Sequence, residues 1–546
     1  MTMSRKNKSR SVKHLIQSSD KGNFQSSYQL YRNYSEGKNV EKKDEGLSHQ
    51  YLAKVESALL YKRIVLSSMH MTDFRRFLDL DISFNENITV LIGANGAGKT
   101  SIAEGIAKTL SWLNNNLEKT DVVGRPITDS DIYVGSRELS EVATTFKFDE
   151  QNTFEVSIGN TVSGYSGSSP TDVVDIRQVA EMYKSVAHNP SIYIPLLAFY
   201  SVERSDFSLS STITEVASGD SASNRFSDLR TALDGSGKLE DFSKLYIELV
   251  NQAKGEKTKE FEELRVQIKT LQATIDDVFS GQITPENDPF NAKLNSKKQE
   301  LANLIKTNSP TKHQRHLDLV NLAIEALVPE IRNIEVDRSS GKARIMVDNF
   351  GNRVNIAQLS QGQKMLIALS GDLARRLVKL NPNTENPLHS HGIVIIDEIE
   401  LHLHPKWQQE VLINLKETFP NLQFIVTTHS PQVLSTVDKN CIRILRFDGD
   451  GNASIDIPEF QTKGVCSADV LERIMGTFAT PKVCEAKWLF DYSALVAENV
   501  WKSEDGEKLF AKIVEHFGTD HPEVKKIKGD IRTQEFKSKV KELKGN

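Results

Sequence analysis

A glycine-rich turn wedged between a short strand and a helix governs how this sequence can fold. Gly93, Gly98, Lys99 and Thr100 form the pattern G-x-x-x-x-G-K-T. The run before it (Ile88, Val90, Leu91, Ile92) predicts a short buried strand, and Ser101 to Leu113 repeats apolar side chains at helical spacing. Gly93, Gly96 and Gly98 let backbone N–H groups close around phosphate oxygens, and the helix N-terminus adds the positive end of its dipole. This is a P-loop. Asn95, Gly96, Ala97, Gly98 and Ser101 are its expected cradle, Lys99 reaches the β- and γ-phosphates, and Thr100 ligates Mg²⁺. The expected cofactors are therefore ATP and Mg²⁺.

The chain has 546 residues, enough for two to four structural units of roughly 150 residues. With 38% hydrophobic and 26% charged residues it reads as a soluble globular protein with ample core. A net charge of −5 gives no global attraction to nucleic acid, so such a contact would need a local basic patch. Cys441, Cys466 and Cys484 lack metal-ligand spacing and are too few for a disulfide framework, which suits the cytosol. The longest apolar run, near Tyr193 to Val202, is too short to span a bilayer, and no signal peptide opens the chain. A cytoplasmic protein without a membrane partner is expected.

Further motifs follow in a fixed order. Leu359-Ser360-Gln361-Gly362-Gln363 precedes an apolar helix, and a serine and glycine at a helix start again offer donors to phosphate. Gly392 to Ile396 is an apolar strand ending in Asp397 and Glu398. Asp397 is placed to hold Mg²⁺ and Glu398 to orient or deprotonate the attacking water. Glu400-Leu401-His402-Leu403-His404-Pro405 comes next, then a buried strand ending in Thr427-Thr428-His429-Ser430-Pro431. The histidines at 389, 391, 402, 404 and 429 do not match a zinc module, so a metal role is not assigned to them.

Taken in order, these motifs resemble ABC-type ATPases of the SMC, Rad50, RecF and OLD group. The opening M-x-D-F-R-R-F-x-D-L-x-I-x-F around Asp73 to Phe77 carries the same resemblance, and Arg75 is its candidate nucleotide contact. The resemblance implies that Ser360, Gly362 and Gln363 form the signature serving the γ-phosphate held by an opposite subunit. It also makes His429 the switch histidine, a catalytic partner of Glu398, and places the E-L-H-L-H-P stretch at a dimer seam. No Q-loop glutamine is assigned.

The flanking segments set the domain plan. Residues 1–18 read as a basic disordered tail, with Arg5, Lys6, Lys8, Arg10 and Lys13. Residues 19–60 read as a helical hairpin of Sel1 or tetratricopeptide type, which must pack on the main domain or on a partner. Residues 61–240 form one lobe of an α/β ABC head and 330–460 the other, with a Gly/Ser-rich loop at 163–169 and a polar loop at 205–225. Between the lobes, 241–329 is a helical insertion. Phe261, Leu264, Ile268, Leu271, Ile275 and Val278 follow a heptad seam, Pro285 and Pro289 break it, and Phe290, Leu294, Leu301 and Leu304 form a return helix. That stub is far shorter than an SMC or Rad50 arm. Asp448 to Asn452 predicts a hairpin turn and not a nuclease metal site.

The 461–546 tail is helical, and Gly464 to Gly476 resembles the C-terminal tail of PtuA ATPases from Septu and retron-associated defence systems. That resemblance implies a homodimer or higher homo-oligomer. Its implied partners are an HNH nuclease (PtuB), a reverse transcriptase and multicopy single-stranded DNA, in a toxin–antitoxin-like arrangement. The other classes open to the sequence are a RecF- or Rad50-like repair ATPase, an OLD-like ATPase without its nuclease domain, and a transporter ATPase.

Overall fold

The computed structural model describes residues 5–165, 167, 170–205, 225–235, 237–253, 259–279, 289–307, 312–339 and 341–544. Two compact units divide the chain, Met1–Val465 and Cys466–Asn546.

The first unit is built around a six-stranded sheet. Its strands in chain order are β3 (Ile88–Gly93), β6 (Leu196–Tyr200), β10 (Gly392–Ile396), β11 (Leu422–Thr427), β12 (Ile442–Phe447) and β13 (Ala453–Asp456), and the order across the sheet is β13-β12-β3-β11-β10-β6. All neighbours are parallel except the β12–β13 hairpin at one edge. Every residue of β6, β10 and β11 is buried. Such unbroken apolar runs belong to parallel strands covered on both faces.

An antiparallel sheet, order β2-β1-β4-β5, combines β1 (Val65–Phe74), β2 (Phe77–Ser83), β4 (Leu139–Asp149) and β5 (Asn152–Thr161). The Lys99–Glu118 helix is buried nearly all round, as a helix packed between two layers must be. Gln423 of β11, fully buried, ties the two sheets. Its amide accepts from the Leu66 N–H at 2.8 Å and donates to the carbonyls of Leu66 at 2.8 Å and Asn85 at 2.9 Å. A third sheet of β7 (Ile331–Asp337), β8 (Arg344–Asn349) and β9 (Asn352–Asn355) leads into the Gln361–Leu380 helix.

The insertion contains helices Lys259–Phe279 and Pro289–Thr307, whose Leu264, Ile275 and Leu294 are buried. At 21 residues the first rises about 31 Å. The side chains of Phe261, Val278 and Leu304, and Pro285 itself, lie outside the described residues, as does most of the polar 205–225 stretch and part of the 163–169 loop. Pro289 opens the return helix, where its missing N–H costs nothing.

The expected disordered N-terminal tail is corrected: Arg5–Asp20 is a helix. It is held by tertiary contact, with Leu15 and Ile16 half-buried and the Ser19 and Ser27 hydroxyls 2.8 Å apart. Gly22, at φ 95°, then turns the chain. Helices Phe24–Glu36 and Glu45–Leu59 follow, and of the two docking sites open to the sequence they take the main domain. Phe24 packs edge-on against Phe148 and its N–H donates to Asn152 Oδ1 at 3.0 Å, while Arg32 pairs with Glu181 at 2.7 Å.

The second unit has its own core: Tyr492, Val496, Trp501, Ile513, Val524 and Ile527, contributed by helices Cys484–Ala497, Glu504–Phe517 and Pro522–Lys544 and the connection between the first two. No helix among the described residues is long and apolar enough to cross a membrane.

Candidate active site

The sheet order explains how motifs about 300 residues apart converge. β3, β11 and β10 are adjacent and parallel, so the P-loop, His429 and the Asp397–Glu398 pair leave the same edge of the sheet side by side. Ligands of open α/β sheets bind at this carboxyl edge, where the strand order reverses. A cavity of about 500 Å³ lies there, lined by Arg76, Asn95, Gly96, Gly98, Lys99, Thr100, Ser101, Asp397, Glu398 and His429.

Gly98 caps the Lys99–Glu118 helix at φ 102°, and a Cβ there would meet the Phe77 ring at 2.5 Å, so only glycine fits. Lys99 Nζ donates to the Gly93 carbonyl at 3.1 Å and the Ala94 carbonyl at 3.3 Å. Burial lowers its pKa from the ordinary lysine value, and the carboxylates of Asp397, Glu398 and Glu400 oppose that shift. Thr100 Oγ1 donates to Asp397 Oδ2 at 2.8 Å. This hydroxyl–carboxylate pair is the oxygen donor set that suits Mg²⁺ beside a triphosphate. Ala97 does not line the cavity; it is buried and its N–H closes onto Ala94 O at 3.1 Å.

The acid pair is held by its backbone and by Thr427. Asp397, 1% exposed, accepts from Thr427 Oγ1 at 2.5 Å, and the same oxygen accepts the Glu398 N–H at 2.8 Å. Glu398 has φ 48°, a left-handed conformation that costs a non-glycine residue about 1–2 kcal/mol. Glu400 points to the next strand end: Oε2 accepts from Thr428 Oγ1 at 2.7 Å and Oε1 from the His429 N–H. The E-L-H-L-H-P stretch thereby fixes where His429 enters the cavity.

Ser360, Gly362 and Gln363 lie outside the cavity lining. Ser360 caps the Gln361–Leu380 helix in a reciprocal box with Gln363, and Ser360 and Gln361 are exposed at that helix start. Gln363 is buried and donates to Asn349 Oδ1 at 2.8 Å. Gly362 packs on the E-L-H-L-H-P turn, where a Cβ would meet His402 O at 2.7 Å. Among the described residues no group of three or more His, Cys, Asp and Glu is placed to hold a metal. Asp448 is engaged in its turn, accepting from the Asp450 N–H at 3.0 Å and the Asn452 N–H at 2.8 Å.

Residues 65–434 match the AAA ATPase domain family. The retron Ec83 probable ATPase of Escherichia coli is 31% identical over 538 residues, 95% of this chain and 96% of the relative. The retron Vc95 probable ATPase of Vibrio cholerae serotype O1 biovar El Tor is 32% identical over 489 residues, 86% and 90% of the two chains. The Septu protein PtuA of Bacillus mycoides is 35% identical over 112 residues, 20% of this chain and 15% of that one. The chain belongs to this family of PtuA-like retron and Septu ATPases.

One expected nucleotide contact of this ATPase is corrected. Arg75, at φ 55°, turns away from the cavity: its Nε donates to Asp131 Oδ1 at 2.9 Å and its N–H to Asp131 O at 2.6 Å. Asp131 also takes Lys108 at 2.9 Å and is held far below the usual carboxylate range by these donors and the Thr128 cap, against its burial. Arg76 reaches the site instead, donating to Gly96 O, with its guanidinium 3.9 Å from the Phe447 ring centroid. Two further residues of the ATPase site were not singled out from sequence. Thr427 precedes His429 by two positions, a spacing that could have flagged it. Arg204 is 1% exposed and donates through Nη1 to Asp397 O and through Nη2 to Glu398 O at 2.7 Å. An arginine in a Ser-rich connection carries no signal of such a role.

Proposed function

We propose that this ATPase is the nucleotide-driven subunit of a bacterial anti-phage defence complex. It binds and hydrolyses ATP at sites completed across a homodimer, and controls a separate HNH nuclease. The observation that carries the reading is the near end-to-end similarity to retron ATPases, joined to a cavity holding P-loop, acid pair and histidine together. Lys99, Thr100, Arg76 and the N–H groups of Asn95, Gly96 and Gly98 bind the triphosphate. Thr100 and Asp397 hold Mg²⁺, which neutralises charge on the β- and γ-phosphates. Glu398 orients and deprotonates the attacking water, and His429 contacts the γ-phosphate. Ser360, Gly362 and Gln363 serve the opposite subunit, in keeping with the exposure of Ser360 at that helix start and with the place of all three outside this chain's own cavity.

The Cys466–Asn546 unit, with its own core, is the docking module for the nuclease, and the N-terminal helices engage a reverse transcriptase or its single-stranded DNA. Deleting residues 466–546 is expected to leave a dimeric ATPase that no longer retains a co-expressed HNH nuclease in a pull-down. The purified chain is expected to cut neither DNA nor RNA. Metal-dependent cleavage by the chain alone, or undiminished nuclease capture by the truncated chain, would contradict this reading.

A further inference from the structure

We propose that Arg204 is a positioning residue for hydrolysis: it holds the Asp397–Glu398 turn in the one conformation that aims Glu398 at the attacking water. This rests on the reading of Glu398 as the group that acts on water. Arg204 lies in the short helical turn Val202–Ser205, just after β6, and its buried side chain reaches the carbonyls of the acid pair.

The guanidinium is shared among four carbonyls. Nη1 donates to Asp397 O and to Ser201 O at 2.8 Å, with Tyr200 O at 3.4 Å, and Nη2 donates to Glu398 O at 2.7 Å. One planar fork therefore bridges the two consecutive carbonyls of the acid pair, which the single ammonium of a lysine cannot match. The rest of the turn is fixed by other partners: the Asp397 N–H on Tyr200 O at 2.9 Å, the Glu398 N–H on Thr427 Oγ1 at 2.8 Å and the Ile399 N–H on Thr427 O at 3.1 Å.

Glu398 stands at φ 48°, and a residue stays in that region only when its surroundings over-determine it. Without the fork the peptide after Glu398 is left with the Ile399 N–H on Thr427 O and the Leu401 N–H on Glu398 O at 3.0 Å, and the Asp397 carbonyl loses its guanidinium partner. The turn is then held less tightly, and the Glu398 carboxylate is no longer fixed on the attacking water. Arg204 itself does not line the cavity, so it acts through Glu398 and not on nucleotide.

The fork also has a fixed base. Tyr200 OH donates to Asp372 Oδ2 at 2.8 Å, and Asp372 is paired with Arg375 at 2.9 Å and Arg376 at 2.7 Å on the Gln361–Leu380 helix. The strand that leads into Arg204 is thereby anchored to the helix whose start bears Ser360.

The test compares Arg204→Gln, Arg204→Lys, Glu398→Gln and the double variant Arg204→Gln/Glu398→Gln. ATP turnover and binding of a fluorescent ATP analogue are measured for each. Arg204→Gln should lower kcat at least tenfold and leave the analogue Kd within about threefold of wild type, because the guanidinium braces the backbone behind the acid pair and does not reach the nucleotide. In the Glu398→Gln background the same change should have no further effect on kcat. Arg204→Lys, which keeps the buried charge, should retain folding by thermal melting and restore only part of kcat.

Wild-type kcat in Arg204→Gln or Arg204→Lys would overturn the proposal, as would fully additive losses in the double variant. Wild-type turnover by Glu398→Gln would instead remove the assignment of the base on which the proposal rests.

Discussion

Lys99 and Glu398 enter the same cavity with different tasks. In the proposed function Lys99 contacts phosphate in the ground state, whereas Glu398 acts on water in the transition state. Lys99→Ala should therefore weaken ATP-analogue binding at least tenfold, by titration. Glu398→Gln should bind normally and turn over about 10²–10³-fold more slowly. A second prediction concerns His391, whose Nε2–H donates to Tyr193 O at 3.2 Å and whose Nδ1 accepts the Ile64 N–H at 3.4 Å. Burial lowers its pKa to about 4. Because the folded value lies below the ordinary 6.5, the unfolded chain binds the proton more readily. The contribution is complete above about pH 6.5 and is lost as the pH falls to about 4, by at most about 3 kcal/mol. Melting midpoints measured from pH 7 to 5 should fall less for His391→Gln than for wild type; an equal fall would refute the role.

The P-loop was legible because strand, turn and helix are contiguous and each carries its own pattern. Arg75 and Arg76 were not separable, because the turn that decides which guanidinium faces the cavity is set by two left-handed residues, Asp73 and Arg75. At the scale of elements, the motif order announced the family and the α/β head. It could not announce that β3, β11 and β10 lie side by side, which is a property of sheet order. The N-terminal helix was missed for a similar reason. Its own sequence is polar and basic, and it is ordered by contact with the helix that follows. The docking of that following helix on the main domain is testable. Phe24→Ala removes a buried ring from the contact with Phe148 and should cost about 3–5 kcal/mol of local stability. Limited proteolysis should then cut near residues 60–64 faster than in wild type, with ATP binding retained. Gly362→Ala tests the packing of the Gln361–Leu380 helix on the His402 turn. Its Cβ would stand 2.7 Å from a backbone oxygen, and overpacking of that kind costs about 1–3 kcal/mol by denaturant unfolding.

For the molecule as a whole, the arrangement separates what one chain holds from what it lacks. The cavity gathers the P-loop, the acid pair and the histidine, while the exposed start of the Gln361–Leu380 helix stands outside it. A site completed by a second copy accounts for both facts, and the account stands or falls on that composite site. The direct measurement mixes Lys99→Ala protein with Ser360→Arg protein and assays ATP hydrolysis, with heterodimers counted by native mass spectrometry. Each variant alone should be inactive. A heterodimer carries one site with both lesions and one with neither, so turnover per heterodimer should return to about half that of the wild-type dimer. Confirmed heterodimers without recovered hydrolysis would contradict the account.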